Sequence, residues 1–313
     1  MKNLLPVFLI LSALTLSNCT KEIEFDEQDI APRIVVNSLF TNDSIWSAHI
    51  SRSVGVLETT SYTTIDNASV NIFDDNANLV TTLTHQGDGL YTSPTGVSPQ
   101  PNQSYTIEAS ASGYESVNAT NSIPSAVPIY QLDTVTSTNN DGETILEATI
   151  TFQDPPNISN YYMLEVLVTG TWINNELEWD PVANEWVADT IEFREPLQIS
   201  CDDINVETVN RFNFGGFENT YLYLMLKDQN FDGENYALTF TVINYAELKD
   251  MDLFGEIRLV NTSEEYFNYL KSFNLYQRTI GNPFATPVQV YSNVNNGMGI
   301  FAGGTLTYWN VQF

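Results

Sequence analysis

An acidic segment in the second half of the chain has the residue types and spacing of a calcium-binding loop. Residues 228–234 have the pattern D-x-N-x-D-G-E. Ca²⁺ prefers carboxylate and amide oxygens, and the glycine allows the sharp turn that such a loop needs. The twelfth position is Thr239, however, where the helix-flanked calcium motif requires a bidentate glutamate, and the flanking residues favour strands. We therefore predict a β-hairpin turn. The alternative is a calcium site formed by Asp228, Asn230, Asp232 and Glu234.

Three tryptophans in one acidic stretch are the second group of binding candidates. Trp172, Trp179 and Trp186 lie within residues 172–193, which the sequence predicts to be a long hairpin or loop. Exposed tryptophan binds sugar rings or enters protein interfaces. In a hairpin, the alternative role of these side chains is packing across the two strands.

Other catalytic chemistries lack the residues that they need. The chain has only two histidines, His49 and His85, and neither lies near a cysteine or a G-x-S-x-G motif in the sequence. The usual zinc sites and the serine nucleophile elbow are therefore not predicted, and the chain contains no phosphate-binding loop. Carboxylates are abundant, so a carboxylate-dependent hydrolase stays an unfavoured alternative. We predict no catalytic residues, no enzyme activity and no cofactor apart from the candidate calcium ion.

The first 19 residues have the pattern of a bacterial lipoprotein leader. Lys2 precedes an apolar run over residues 4–16, which is too short to span a membrane and is typical of a secretory signal. The run ends in Leu16-Ser17-Asn18-Cys19, a lipobox in which Asn18 departs from the usual small residue. We predict that residues 1–18 are removed and that Cys19 is lipidated. An ordinary cleaved leader with an unrelated cysteine is the alternative.

Residues 19–31 form a predicted tether with an acidic run. A lysine followed by acidic residues, directly after the lipidated cysteine, resembles the surface-export sequence of Bacteroidetes lipoproteins. We therefore predict an outer-membrane protein that faces the cell surface. A solvated linker is the alternative, since charge runs usually have that role.

The charge balance excludes one class of partner. The chain carries 11 basic and 39 acidic residues, a net charge of −28 at pH 7. Nucleic-acid binding depends on Lys and Arg that neutralise phosphates, so no nucleic-acid partner is expected. With Cys19 lipidated, Cys201 has no partner for a disulfide, and we predict a small buried side chain there.

Composition and turn spacing predict a mainly β protein. Phe, Tyr, Val, Ile and Thr are plentiful, as is typical of strands. Seven short strands in residues 32–123 predict a β-sandwich that resembles immunoglobulin-like or prealbumin-like modules. A proline-containing linker at 124–128 precedes a larger β-rich domain at 129–313.

One helix is predicted, over residues 263–279. Thr262 and Glu265 have the spacing of a capping box, and aromatic residues recur at helical intervals behind them. Gly281-Asn282-Pro283 marks the end of the helix. We predict that the aromatic stripe packs on a sheet and does not form a ligand site.

Several stretches together resemble one family, the Bacteroidetes lipoproteins of domain-of-unknown-function family 4249. They are Cys19 with residues 32–37, residues 263–270 leading to Tyr276, residues 281–288, and residues 290–301. Thr286 departs from the glutamate that is frequent in the family. The resemblance covers essentially the whole mature chain. It implies an association with TonB-dependent receptors and supplies no catalytic residues.

The C-terminal part of that resemblance contains the third group of candidates. We expect Gly297 and Gly299 to adopt positive φ in turns or bulges. Asn293, Asn295 and Asn296 are expected to hydrogen-bond their own backbone, and a ligand-facing or interface loop is the alternative.

These observations lead to one functional expectation and two alternatives. We expect a non-enzymatic surface lipoprotein that is a partner or substrate-capture subunit of a TonB-dependent β-barrel receptor. A structural or adhesive envelope protein is the second hypothesis, and the carboxylate-dependent hydrolase is the third.

Overall fold

The computed structural model describes most of the predicted mature body. The described residues are 31–55, 63–138, 142, 144–180, 185–214, 217–243, 245, 253–280, 282 and 284–312. Residues 32–54 and 60–313 form one compact unit, and the other unit, residues 1–31 with 55–59, lies almost wholly outside the described range. Cys19 and nearly all of the predicted tether also lie outside it. Within the described ranges, no helix has the length and apolar character needed to cross a membrane.

The structure has seven strands between residues 34 and 122, the number predicted for residues 32–123. They are β1 (Ile34–Thr41), β2 (Ser47–Arg52), β3 (Ser69–Asp74), β4 (Leu79–Gly87), β5 (Leu90–Thr92), β6 (Ser104–Ser110) and β7 (Val117–Ser122). Buried and half-buried residues alternate along β1, so that Ile34, Val36 and Phe40 face the core. Because side chains of a strand point alternately to its two faces, this pattern could be predicted from the sequence.

The second half of the chain contributes eleven strands and one helix among the described residues. The strands are β8 (Ile129–Thr138), β9 (Thr144–Gln153), β10 (Tyr161–Asp180), β11 (Glu185–Pro196), β12 (Ile199–Ser200), β13 (Phe212–Phe214), β14 (Phe217–Tyr221), β15 (Tyr223–Lys227), β16 (Asn235–Val242), β17 (Phe254–Thr262) and β18 (Met298–Gln312). The helix is α1 (Glu264–Thr279). The predicted fold class, mainly β with one conspicuous helix, is confirmed.

The strands form two sheets. The larger has twelve strands in the order β11-β10-β17-β18-β1-β2-β5-β4-β3-β6-β7, and β15 also pairs with β10. The smaller has six strands in the order β13-β14-β12-β16-β9-β8. β18 pairs with β1 in parallel and with β17 in antiparallel orientation. The last strand therefore joins strands from both halves of the chain in one sheet.

Two large apolar clusters form the core. One contains residues of β1 to β7 together with Val294 and Phe301. The other lies between the six-stranded sheet and strands β10, β15 and β17, with Tyr162, Phe152 and Phe240 among its largest side chains. Burial of apolar surface on this scale is the main stabilising contribution to such a fold.

Helix α1 covers one face of the larger sheet. Its N-cap is Ser263, whose hydroxyl accepts a hydrogen bond from the amide of Tyr266 at 3.2 Å. The predicted cap at Thr262 is therefore wrong by one residue, because the Thr262 hydroxyl bonds the Tyr161 carbonyl instead. Tyr266 and Phe267 are buried, and Tyr266 packs with Ile300 of β18. The aromatic stripe thus packs on the sheet, as predicted.

Candidate functional site

Two chain crossings lie side by side at one end of the space between the sheets. Residues 154–160 lead from β9 in the smaller sheet to β10 in the larger, and residues 228–234 lead from β15 back to β16. The Asp154 amide donates to the Glu234 carbonyl at 3.0 Å, and the Asp228 amide donates to the Asn160 carbonyl at 3.3 Å. We call these two segments the paired crossings.

The predicted hairpin at residues 228–234 is wrong. β15 pairs with β10, whereas β16 pairs with β9 and β12. The segment instead begins with a 3-10 turn over Asp228–Asn230 and crosses from one sheet to the other. A β-hairpin turn and a crossing between sheets use the same turn residues. Only the long-range pairing of the flanking strands distinguishes the two structures.

The paired crossings bring three carboxylates together. Asp154, Asp228 and Asp232 each have an oxygen within 4.8 Å of the others. Asp154 is 0% exposed and Asp228 is 5% exposed, whereas Asp232 is exposed. A buried carboxylate costs free energy unless its oxygens are hydrogen-bonded. The hydrogen-bond partners of the three carboxylates therefore determine whether the cluster stabilises the fold.

Asp154 is the most enclosed of the three and has partners on both oxygens. The buried Tyr162 hydroxyl donates to Oδ1, and the Gly233 amide donates to Oδ2 at 2.8 Å. Gly233 has a φ of +74°, and a Cβ there would lie 2.8 Å from Pro156 Cβ. Glycine is therefore required both by the backbone conformation and by the close approach of the other crossing.

The other two carboxylates, Asp228 and Asp232, lie in residues 228–234 and accept hydrogen bonds from main-chain amides of residues 154–160. The Asn160 amide donates to Asp228 Oδ2 at 2.7 Å, and the Asn157 amide donates to Asp232 Oδ1 at 2.8 Å. Charged acceptors make such bonds stronger than neutral ones. The three carboxylates therefore hold the paired crossings together through main-chain amides on both sides.

The enclosed position of Asp154 changes its pKa. Burial, with smaller contributions from the charges of Asp228 and Asp232, raises the pKa of Asp154, although the Tyr162 and Gly233 hydrogen bonds oppose this shift. Burial also raises the pKa of Tyr162, so its hydroxyl stays protonated and donates. Repulsion within the cluster can be relieved by a proton on Asp154 or by a bound cation.

Only two of the four predicted calcium ligands join this cluster. Asn230 donates from its side chain to Asn205 Oδ1 at 2.6 Å, and the three-carboxylate cluster does not include Glu234. Asp154 was missed because it lies 74 residues or more from the others in sequence, in an Asp-Pro-Pro segment typical of a simple turn. Calcium binding stays a prediction, with Asp154, Asp228 and Asp232 as the carboxylates that could hold the ion.

The three tryptophans lie on a β-hairpin, as predicted for residues 172–193. Trp172 and Trp179 belong to β10 and Trp186 to β11, and Trp179 is the direct cross-strand partner of Trp186. Their side chains lie outside the described part of the structure. Their role as ligand or interface residues stays a prediction.

The asparagines before β18 have mainly structural partners. Asn293 forms two hydrogen bonds with the Phe301 main chain, accepting from the amide at 2.9 Å and donating to the carbonyl at 2.7 Å. Asn295 bonds Asn118 of β7 through its amide and its side chain, and Asn296 has a φ of +61°. Their proposed role in an interface is not tested by these contacts.

The two glycines of this segment behave differently. Gly299 has a φ of +104°, as predicted, and a Cβ would lie 2.0 Å from the Val36 carbonyl oxygen. Gly297 is not among the glycines with positive φ, so that prediction is wrong. Gly297 is needed for close approach instead, since a Cβ would lie 2.6 Å from the Ile34 carbonyl oxygen.

The histidines and the cysteine have separate surroundings. His49 Nε2 lies 2.7 Å from the Asp88 carbonyl oxygen, and His85 Nε2 lies 3.3 Å from Asp66 Oδ1. Cys201 is buried, as predicted, and its thiol donates to the Thr239 carbonyl at 3.3 Å. Burial raises the pKa of Cys201 to about 11, so the reactive thiolate is disfavoured at neutral pH.

Comparison with known protein families identifies the family of this chain. No curated protein is similar to the chain. A family model described as a domain of unknown function, DUF4249, matches residues 20–307. This range includes α1, the paired crossings and every strand except the end of β18. The chain therefore belongs to the DUF4249 family.

Proposed function

We propose that this protein is a lipid-anchored outer-membrane protein that faces the cell surface. In this proposal it acts, without catalysis, as a partner or substrate-capture subunit of a TonB-dependent β-barrel receptor. The receptor would provide transport, and the β body would provide recognition outside the barrel.

The observation that carries the proposal is the segment Leu16-Ser17-Asn18-Cys19 directly before the family domain. The DUF4249 match begins at residue 20, one position after the cysteine that a lipobox would lipidate. Several acyl chains on one residue give stable membrane anchoring. The predicted tether, residues 19–31, can extend to roughly 45 Å, which would let the body reach a neighbouring membrane protein.

Two buried groups, Asp154 and Cys201, are poorly placed to act as a base or a nucleophile. The most enclosed carboxylate, Asp154, has both oxygens hydrogen-bonded within the fold, and the Cys201 thiol is buried with a raised pKa. A nucleophile or general base needs an accessible atom near a substrate. The structural or adhesive envelope protein remains the second hypothesis, since the same anchor and β body would serve it equally.

Affinity purification of the tagged protein from native outer membranes in mild detergent tests the proposal. Mass spectrometry should find a β-barrel receptor in stoichiometric amount. Cys19→Ala is the matched control, because it removes the predicted lipid attachment and leaves every described residue unchanged. This variant should lose the membrane association and recover much less receptor.

Two results would contradict the proposal. A wild-type protein that is purified without a receptor, from cells that are using such receptors, would favour the structural or adhesive hypothesis. Turnover of a glycan or peptide that is abolished by single Asp or Glu substitutions would favour the hydrolase.

A further inference from the structure

Strand β8 is the outer strand of the six-stranded sheet, and no described strand pairs with its second edge. It is ten residues long, pairs with β9 on one side, and exposes eight of its ten residues. In an antiparallel pair, alternate residues direct their N–H and C=O groups away from the partner strand. No described residue outside β9 donates a main-chain hydrogen bond to β8 or accepts one from it.

The sequence of β8 has few of the devices that usually block a free edge. It contains no proline and no lysine, and its one charged residue is Asp133. Its register shifts only at its beginning, between Ile129 and Gln131. Soluble proteins normally protect long edges with such residues or with bulges, because a free edge pairs readily with another strand. A free edge of this length therefore indicates a pairing partner.

Charge on the outer face of the β8–β9 pair specifies the partner further. Asp133 and Val135 lie two residues apart on one face, and Glu147 is the cross-strand partner of Val135. Asp133 and Glu147 are both exposed, and neither forms an ion pair with a described basic side chain. Because opposite charges across neighbouring strands stabilise their pairing, the best partner carries Lys or Arg on this face. The net charge of −28 adds long-range attraction for a basic segment and repulsion for a second copy.

A groove with both apolar and polar lining residues lies close to this edge. Thr134 of β8 and Val311 of β18 line the same narrow gap between the two sheets. Val311 also lines an open groove of about 380 Å³ with Phe254 and Thr169. Phe254 is 62% exposed, although its side chain is aromatic. Phe254 and Val311 offer apolar contact to side chains of a strand that is added beside β8, and Glu256 adds a carboxylate to the same groove.

We propose that β8 receives an extended, positively charged segment of a partner protein by strand addition. Main-chain hydrogen bonds to the free edge would provide affinity, and Asp133, Glu147 and the groove would select the side chains. The identity of the partner, a TonB-dependent receptor, rests on the proposed function. The edge itself does not depend on it.

A synthetic peptide of alternating Lys and Val, equal in length to β8, tests the edge directly. Fluorescence anisotropy should show saturable binding to the full-length protein in detergent. The same peptide with every backbone amide N-methylated keeps its side chains and charge but cannot pair with a strand, and it should not bind. Equal binding of the two peptides, or no binding of either, would overturn the proposal.

Two exposed apolar residues provide matched variants. Val135 on β8 and Leu79 on β4 are each 57% exposed, so a lysine at either position should leave the fold intact. Val135→Lys places a like charge opposite the peptide and should weaken binding by at least about tenfold. Leu79→Lys makes the same charge change elsewhere and should stay within about twofold of wild type. An equal loss in both variants would mean non-specific attraction and would refute strand addition.

Two further measurements distinguish strand addition by a partner protein from dimer formation and from the proposed function itself. Sedimentation should show a monomer, and a dimer that Val135→Lys dissociates would identify a second copy as the occupant instead. In native outer membranes, Val135→Lys should also reduce the recovered receptor. A receptor complex that is unaffected by Val135→Lys would refute the receptor as the partner of this edge and leave the proposed function standing. Peptide binding without any receptor complex would support the edge and contradict the proposed function.

Discussion

Removal of the Asp154 carboxylate tests how much its hydrogen bonds between the paired crossings contribute to the stability of the fold. Asp154→Ala deletes the acceptor for two donors, the buried Tyr162 hydroxyl and the half-buried Gly233 amide. An unsatisfied buried hydroxyl costs about 1–3 kcal/mol, and loss of the second bond costs about 1 kcal/mol. Relief of repulsion with Asp228 and Asp232 offsets part of this cost. We expect the free energy of unfolding to fall by about 2–4 kcal/mol.

Urea denaturation followed by tyrosine and tryptophan fluorescence measures this change. Asp133→Ala, at an exposed aspartate on β8, should change the free energy of unfolding by less than about 0.5 kcal/mol. Asp154→Ala should cost less in the Tyr162→Phe background, because one of the two donors is then absent. A loss below about 1 kcal/mol in the wild-type background, or strict additivity with Tyr162→Phe, would refute the account of Asp154 as an acceptor that the fold requires.

Three other predictions concern titration, cation binding and backbone conformation. The pKa of Asp154 is raised above its ordinary value of 3.8, so its contribution favours folding at low pH and is lost as pH rises through the raised value. Wild type should therefore gain stability relative to Asp154→Asn as pH falls towards 4, and a gap that is independent of pH would contradict the shift. If the predicted calcium site exists, Ca²⁺ should raise the melting temperature of wild type but not of Asp232→Asn, and equal responses to Ca²⁺ and EGTA in wild type would exclude it. Gly299→Ala forces a contact with Val36 as well as a strained φ and should cost at least about 3 kcal/mol, whereas Gly113→Ala, with positive φ but open space, should cost about 1–2 kcal/mol by thermal unfolding.

Local patterns were sufficient to predict most strands of the first half of the chain. Alternation of apolar residues, as in β1, and turn residues between strands depend only on near neighbours in sequence. The helix was predicted for the same reason. Its cap was placed one residue early because Thr262 and Ser263 are both good caps, and only the contact of Thr262 with Tyr161 distinguishes them.

Long-range pairing could not be predicted in this way. β18 lies between β17 and β1, and the segment 228–234 crosses between sheets because its two flanking strands have different partners. The carboxylate cluster was likewise predicted only where its residues are close in sequence. Asp228 and Asp232 were recognised from a local motif, whereas Asp154 joins them only through the fold. Neither the turn chemistry nor the spacing of Asp154-Pro155-Pro156 indicates that contact.

The exposed edge of β8 is also a property of the whole fold. Its sequence, with Tyr130, Val135 and several threonines, is typical of any β-strand. Whether such a strand is central or outermost depends on which strands pair beside it. The sheet order therefore adds a candidate interaction surface that composition alone does not indicate.

We propose above that this protein is lipid-anchored and is a stoichiometric partner of an outer-membrane receptor. Mass measurement of the intact complex, purified in mild detergent from native membranes through a tag on this chain, tests it most directly. We predict a particle whose mass equals this protein plus a β-barrel receptor in a fixed ratio. A particle with the mass of this protein and its detergent alone, at protein concentrations found in the membrane, would contradict the account.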